Sequence, residues 1–149
     1  MSSFSQQVYE LCLLVPQGKV TTYKTIAEKL GTKSYRAVGQ ALRCNPFSPR
    51  VPCHRVVRSD GSLGGFMGWK EGGKVAEKWK MLEEEGVLID DEGRIDLLKY
   101  GFDFENVSDS LLLNVKMKHK KLFEYAKTRY NRLRSTTSKP KGINKVKVN

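Results

Sequence analysis

Apolar residues recur at helical spacing in the first part of the chain. This pattern predicts a helix over about residues 5–15, which Pro16 and Gly18 bring to an end. Its apolar face consists of Val8, Leu11, Cys12 and Val15. Residues 19–22 include β-branched side chains and predict a short extended segment before the next helix.

Two further short helices are predicted at about residues 23–30 and 35–43. The residues that limit them are Thr21 or Thr22 as the first N-cap, Gly31 as the stop and Ser34 as the second N-cap. Two short helices joined by a glycine-containing turn form a helix-turn-helix, which is predicted here over about residues 22–43.

The predicted fold is mostly α-helical with a small β element. Residues 51–57 favour a short extended or tightly turned segment, and glycines between residues 61 and 73 favour a loop. A last core helix is predicted over about residues 74–85, because apolar residues again form one stripe. That stripe consists of Val75, Trp79 and Leu82.

A first domain is predicted over residues 1–88 and a partly helical extension over residues 89–134. Residues 89–98 favour a hairpin or a loop. A basic helix is predicted near the end of the extension from the spacing of Leu122, Ala126, Tyr130 and Leu133. Polar and basic residues then dominate, so residues 135–149 are predicted to form a disordered basic tail.

The net charge of +11 is distributed unevenly. Residues 1–114 contain 15 Lys and Arg and 15 Asp and Glu, whereas residues 115–149 contain 12 Lys and Arg and Glu124 as the single acid. A basic tail increases the affinity for phosphate groups without selecting a sequence. The charge agrees with nucleic-acid binding, and equally with a solvated tail or a localisation signal.

The sequence shows neither a secretion signal nor a membrane span. No apolar run is long enough to cross a bilayer, and the chain does not begin with a basic region and an apolar block. Cys12, Cys44 and Cys53 have the spacing of neither a disulfide framework nor a zinc ribbon. We expect the thiols to be reduced, and we expect a monomer without a cofactor. The expected location is the nucleus if the source is eukaryotic and otherwise the cytoplasm.

Cys53 has the clearest chemical setting of the three cysteines. Pro52 fixes the backbone before it, and His54 follows it. A cysteine reacts as a thiolate, so it needs a base or a cation nearby, and His54 meets this need directly or through one water molecule. The second imidazole nitrogen then requires an acceptor. The candidate carboxylates are Glu83, Glu84 and Glu85.

A cysteine is more often a small buried hydrophobic residue than a nucleophile. We keep that interpretation for Cys12, on the apolar face of the first helix, and for Cys44, at the end of the third. For Cys53, the flanking proline and histidine and the glycine-rich loop that follows favour a reactive thiol instead.

Five linked motifs occur between residues 4 and 87. They are Gly18-Lys19-Val20-Thr21-Thr22-Tyr23, Arg36-Ala37-Val38-Gly39-Gln40-Ala41 with Asn45-Pro46, Pro52-Cys53-His54-Arg55-Val56, the loop of residues 61–68, and Lys78-Trp79 with Glu85-Gly86. In order and nearly in spacing they resemble the C-terminal catalytic domain of O6-alkylguanine-DNA alkyltransferases. Five linked motifs are far more specific than one. The resemblance implies a winged helix-turn-helix domain, followed here by a basic extension.

The resemblance implies a DNA repair enzyme that is consumed in one turnover, a methylated-DNA-[protein]-cysteine S-methyltransferase. The cysteine matched by Cys53 takes the alkyl group from O6 of a flipped-out guanine in double-stranded DNA, and the histidine matched by His54 acts through a water molecule. Glu85 would orient that histidine. Asn45 would brace the helix-turn-helix and the active-site turn by hydrogen bonds to backbone.

The resemblance also implies the contacts with base and DNA. Tyr23 would donate its hydroxyl toward the base and lie near the rotated phosphate. The residues that would surround the base are Val56 and Met67, through main-chain groups, and Phe66, as an aromatic wall. Arg36 would fill the gap that the flipped base leaves, since flipping costs a few kcal/mol of unstacking. Ala37, Gly39 and Arg43 would accompany it in the minor groove.

The chain also departs from the family. Many members have an N-terminal domain before the catalytic domain, and in some of them that domain holds zinc ligands. We expect this chain to begin at the catalytic domain, so no zinc site is expected here. The loop between Gly64 and Lys78 is longer than usual. Residues 88–149 would either cover the surface that the N-terminal domain hides elsewhere or extend the DNA contact.

Two alternative functions remain. A non-enzymatic alkyltransferase-like protein binds alkylated guanine and recruits other repair factors, but such proteins replace the cysteine, commonly with tryptophan. A plain winged-helix DNA-binding module would leave Cys53, Asn45 and Glu85 without a joint purpose. Cys53 therefore favours the enzyme.

Overall fold

The computed structural model describes residues 2–65 and 72–137 of the chain. It begins with helix α1, Ser3–Leu14, whose first turn is capped by the Ser2 side chain accepting a hydrogen bond from the Ser5 backbone N–H at 3.0 Å. The four residues of the predicted apolar face are all buried: Val8, Leu11, Cys12 and Val15. The prediction of this helix is confirmed to within two residues at its start.

Helices α2, Tyr23–Lys29, and α3, Tyr35–Arg43, form the predicted helix-turn-helix. Thr22 caps α2 by accepting from the Thr25 N–H at 3.0 Å, which decides between the two threonines that the sequence left open. Ser34 caps α3 by accepting from the Ala37 N–H at 3.2 Å, as predicted. The two helices pack on each other, and α3 also packs on α1.

A small parallel sheet connects the helix-turn-helix to the segment that carries Cys53. Strand β1, Thr21–Thr22, leads directly into α2, and strand β2, Val56–Val57, follows a single 3₁₀ turn at Cys53–Arg55. In the described residues the strands pair with Thr21 opposite Val56. Both strands are buried, so the start of α2 and the Cys53 turn are held at a fixed distance from each other.

Helix α4, Gly73–Glu84, follows the loop and lies against the Cys53 turn. Beyond it, Ile89 pairs with Ile95 in an antiparallel bridge, and the one-turn helix α5 covers Leu97–Tyr100. Ile95 and Tyr100 of these segments join an apolar cluster with side chains from β2, α4 and the residues around them: Val20, Val57, Leu63, Leu82 and Val87. The stretch from residue 89 to 100 is therefore packed against the core.

The extension ends in helices α6, Asp109–Lys118, and α7, Lys120–Thr137. Phe123 of α7 is only 2% exposed and belongs to the same apolar cluster as Val8 and Cys53. Its ring meets Phe47 edge to face, with 5.5 Å between the ring centroids. The extension is thus part of one core with the first domain. Helix α7 runs past Ser135, where the tail was predicted to begin, and residues 138–149 lie outside the described part.

Within the described ranges, no helix has the length and apolar character needed to cross a membrane.

Candidate functional site

The turn from Asn45 to Cys53 places the candidate nucleophile, and Asn45 holds that turn together. Its Nδ2 donates to the Val51 carbonyl at 2.9 Å, and its Oδ1 accepts from the Phe47 N–H at 2.9 Å. Both side-chain bonds stay within the turn, whereas the link to the helix-turn-helix is the Asn45 backbone N–H on the Leu42 carbonyl. The expectation that the Asn45 side chain itself braces the helix-turn-helix is corrected accordingly.

Cys53 lies at the first position of the 3₁₀ turn and is 5% exposed. Its thiol Sγ is 3.8 Å from the hydroxyl Oγ of Ser48, which can accept a weak hydrogen bond from the thiol or donate one to the thiolate. Backbone donation from the Cys53 N–H to the Val51 carbonyl at 2.8 Å fixes the position of the residue. The sulfur is therefore nearly buried and has a fixed position at the start of the turn.

His54 and Arg55 share one carboxylate, that of Glu85. The His54 Nε2 lies 2.8 Å from the Glu85 Oε2, and the Arg55 guanidinium donates to both Glu85 oxygens, at 2.9 and 2.8 Å. Arg55 also donates to the Val15 carbonyl at 2.8 Å, which ties the end of α1 to the end of α4. Of the three glutamates left open by the residue pattern, Glu85 is the one that reaches the imidazole.

Burial lowers the pKa of His54 from its usual 6.5, and the hydrogen bond and charge of Glu85 only partly oppose this effect. For Glu85, burial is the largest single effect and raises the pKa, but the hydrogen bonds and charges of Arg55 and His54 together outweigh it and leave the pKa lowered. At neutral pH the pair is thus a neutral imidazole and an ionised carboxylate. The His54 Nδ1 is buried without a hydrogen-bond partner among the described residues, and it is the ring nitrogen left to act as a base.

The lowered pKa of His54 predicts how protein stability and the rate of any reaction at Cys53 depend on acid pH. Because the folded protein binds a proton at His54 less readily than the unfolded chain does, this residue contributes stability above about pH 6.5 that is lost as the pH falls.

Replacing Glu85 with Gln should slow any reaction at Cys53 by ~10²-fold, the range of a positioned general base. The acid limb of the pH–rate profile should move to lower pH, since Glu85 raises the His54 pKa.

The matched control for that substitution is Glu84→Gln, one residue earlier at the exposed end of α4. It removes the same charge without touching His54. Stopped-flow or quench measurements from pH 5 to 8 would compare the two variants. Equal pH–rate profiles for both variants would contradict a role for Glu85 in orienting the His54 imidazole and raising its pKa.

Lys78 supports the structure around the site, and the sequence pattern showed it only as part of a motif. It is completely buried on α4, and its Nζ donates to the carbonyls of Val56, Leu63 and Gly65. Burial lowers the pKa of Lys78 to about 7. The available signal was its position between Val75 and Leu82 on the apolar stripe, where a lysine must find polar partners. Lys78 fastens the start of the glycine-rich loop to β2.

Tyr23 and Val56 border the same loop. Burial raises the pKa of Tyr23 to about 12, so its hydroxyl remains protonated at neutral pH. Gly64 lies close to Tyr23 and has a φ of +73°, a conformation that favours glycine. A Cβ added at this position would lie only 3.1 Å from the Tyr23 hydroxyl oxygen. Val56 is fully buried, and its carbonyl already accepts from Lys78. Phe66 and Met67, the other two predicted pocket residues, lie outside the described residues.

Four of the predicted DNA contacts lie on α3, whereas Tyr23 lies at the start of α2. Arg36 and Arg43 are exposed, and Ala37 and Gly39 are partly exposed. A Cβ added at Gly39 would have no neighbouring atom within 4 Å, so the backbone is open to another molecule at this point. Arg36, Gly39 and Arg43 are spaced to share a helix face. The positive charges of Arg36 and Arg43 therefore lie on either side of Gly39, where the helix backbone has no side chain over it.

The other two cysteines differ from each other. Cys12 is fully buried, as predicted, and burial raises the pKa of its thiol. Cys44 is exposed at the C-terminal cap of α3, so its interpretation as a buried residue was wrong. The apolar stripe of α3 ends at Leu42, and the helix turns Cys44 toward solvent.

A helix-turn-helix joined to a turn with a Cys53, His54 and Glu85 arrangement defines a class of DNA-binding domain with a candidate nucleophile. The sequence profile described as 6-O-methylguanine DNA methyltransferase, DNA binding domain, matches residues 3–87. The chain therefore belongs to the O6-methylguanine DNA methyltransferase family. This result confirms the resemblance, and the described helices with the two-stranded sheet confirm the mostly α-helical fold class with a small β element.

Three relatives illustrate the likeness. The methylated-DNA--protein-cysteine methyltransferase of Rattus norvegicus is 41% identical over 87 residues, 57% of this chain and 40% of that protein. A DNA base-flipping protein of Thermus thermophilus is 48% identical over 82 residues, 55% of this chain and 52% of that protein. S. pombe Atl1, solved in complex with damaged DNA containing O6-carboxymethylguanine, is 34% identical with a TM-score of 0.57, covering 68% of this chain and 96% of Atl1.

The chain spans half or less of the length of the rat methyltransferase and of similar curated relatives. The family match ends at residue 87, so α5, α6 and α7 lie beyond it.

Proposed function

We propose that this protein repairs DNA by transferring an alkyl group, such as methyl, from O6 of a guanine to its own Cys53, once per molecule. The observation that carries the proposal is the Cys53 thiol on the same 3₁₀ turn as a His54 imidazole that Glu85 holds at 2.8 Å. A cysteine with an adjacent neutral imidazole can form a thiolate at neutral pH. The methyltransferase name of the rat relative supports the same reaction.

The proposed step moves one proton and one alkyl group. His54 takes the proton from the Cys53 thiol, directly or through one water molecule, and the thiolate attacks the alkyl carbon. A carbon–sulfur bond forms while the carbon–oxygen bond breaks, and its electron pair goes to the guanine. Tyr23, protonated because of its raised pKa, can donate a hydrogen bond from its hydroxyl to the departing base. The guanine anion then takes up one proton from solvent, and the proton on His54 returns to solvent. The thioether that remains on Cys53 cannot react again.

The base must leave the duplex to reach a sulfur held this close to the core. In the proposed complex, α3 lies in the minor groove of double-stranded DNA, with the open backbone at Gly39 against the groove and Arg36 in the gap. Small side chains suit this approach, whereas reading bases in the major groove requires polar side chains. The similarity to S. pombe Atl1, which was solved in complex with damaged DNA, supports DNA as the partner.

Arg36→Ala should separate insertion into the duplex from the chemistry. We expect the repair of a duplex to slow by about 10-fold to 10²-fold, because a few kcal/mol of unstacking is then no longer offset. Reaction with free O6-benzylguanine should be unchanged, since no base has to be flipped. Arg43→Ala, on the same face of α3, is the control for loss of one cation. Equal slowing of both reactions by Arg36→Ala would refute insertion.

Mass spectrometry of the intact protein tests the transfer itself. After mixing with a duplex that contains one O6-methylguanine, the mass should rise by one CH₂ in net terms, and peptide analysis should place the methyl on Cys53. An unmodified duplex is the control. A methyl at the exposed Cys44, or no adduct after complete binding, would refute the proposed transfer.

Binding without transfer is the second candidate function. The coverage of Atl1 favours it, because the likeness runs over 96% of a protein whose structure is a complex with damaged DNA. Tight binding of the O6-methylguanine duplex with no gain in mass would establish this function. The presence of Cys53 beside the His54–Glu85 pair favours transfer.

A further inference from the structure

A groove of about 1130 Å³ lies between helix α7 and the turn that leads to Cys53. Cys44, the C-terminal cap of α3, is one of its lining residues. Its apolar lining residues include Pro46, Phe47, Pro49, Leu122 and Ala126. One wall therefore comes from the family domain and the other from the extension, which lies beyond the family match.

The charged residues that line this groove are all basic. Arg50 stands on the turn and Arg129 on α7, and none of the described lining residues is acidic. The Arg129 guanidinium donates to the Tyr125 hydroxyl at 3.5 Å, and the Tyr125 side chain is 64% exposed. A smaller cavity against another face of α7 contains both Glu10 and Glu124 among its lysines, so it lacks this single-sign character.

We infer that the groove binds the sugar–phosphate backbone of the DNA where a strand continues past the C-terminal end of α3. This inference rests on the proposed function, which places α3 against DNA. The exposed Arg43 is the last residue of α3, and the next residue, Cys44, lines the groove. Two arginines can each neutralise a phosphate, and an exposed tyrosine ring can pack on a sugar or a base.

The extension would thereby take part in DNA binding. Arg43 belongs to the domain that the family shares, Arg50 to the Cys53 turn and Arg129 to the extension. Because Ser48 both lines the groove and contacts the Cys53 thiol, a strand bound there would lie beside the turn that carries the nucleophile. DNA contact would thus extend from the flipped base to α7.

The salt dependence of DNA binding tests the groove. Arg50→Gln and Arg129→Gln should each reduce the slope of log K against log salt by about 1, the loss of one phosphate contact, and weaken binding several-fold at low salt. Tyr125→Ala should weaken binding by about 5-fold, as expected for loss of one stacking contact. The matched control is Lys121→Gln, on α7 but outside both cavities. Equal slopes for Arg129→Gln and Lys121→Gln would overturn the inference.

Shortening the DNA locates the contact. The defect of Arg129→Gln relative to wild type should disappear when base pairs are removed from the end of the duplex that follows α3, and persist when they are removed from the other end. A defect independent of length at both ends would overturn the inference. Methylation of Cys53 in the wild-type protein is measured separately from the salt slopes. If wild-type protein itself gains no methyl group, the proposed transfer fails; if only the slopes fail to change, the groove does.

Discussion

Cys53→Ala is expected to abolish alkyl transfer while leaving the binding of damaged DNA close to that of the wild type. The sulfur is the proposed acceptor, and alanine has no atom that can replace it. The side chain is 5% exposed, and alanine is smaller, so the fold of the turn should persist. The Asn45 bonds that hold the turn do not involve Cys53 side-chain atoms. The DNA contacts assigned to α3 are also left in place.

Fluorescence anisotropy with an O6-methylguanine duplex would measure the binding, and intact mass would measure the transfer. Cys44→Ala is the control, because it removes an exposed thiol at the end of α3 and should retain full transfer. If Cys53→Ala lost binding and transfer together, Cys53 would have a structural role and the proposed chemistry would be wrong.

Phe123→Ala is expected to lower the free energy of unfolding by about 3–5 kcal/mol, the usual cost of removing a buried phenylalanine. Phe123 is 2% exposed and packs edge to face on Phe47, which in turn packs edge to face on Tyr9 at 5.8 Å. The Tyr9 hydroxyl donates to the Ala41 carbonyl at 2.7 Å. One aromatic row thus runs from the extension to the end of α3.

Equilibrium urea unfolding would measure this effect through the transition midpoint at an unchanged slope. The control is Tyr125→Ala, an aromatic truncation on the same helix at a side chain that is 64% exposed, and it should cost less than about 1 kcal/mol. A similar small cost for Phe123→Ala, or a separate early transition, would show that the extension does not share the core.

Local sequence signals were enough to predict the helix-turn-helix. Ser34 and Thr22 cap their helices through bonds that span three residues, and the bounds of α3 agree with the predicted residues 35–43. The adjacency of Cys53 and His54 is likewise a property of the chain itself. Such features can be predicted because the interacting groups are close in sequence, so no long-range packing has to be known.

Long-range contacts decided the rest of the site. The sequence pattern left Glu83, Glu84 and Glu85 open, although Glu85 is the one that follows Leu82 at helical spacing on the buried face. Its contact with His54 spans 31 residues and depends on how α4 lies against the Cys53 turn. Lys78 was missed for the same reason, since its carbonyl partners lie on β2 and the loop.

The sequence by itself determined the helices of the first domain, the adjacency of Cys53 and His54 and, through five linked motifs, the family. The residue pattern left three glutamates open, and the family resemblance pointed to Glu85, which the tertiary structure places 2.8 Å from the His54 imidazole. Only the tertiary structure decided that Lys78 is buried, that Cys44 is exposed, and that Phe123 joins the extension to the core. The physical reason is that capping and helical periodicity act within a few residues of the chain. The partners of Glu85, Lys78 and Phe123 are distant in sequence, and packing alone brings them together.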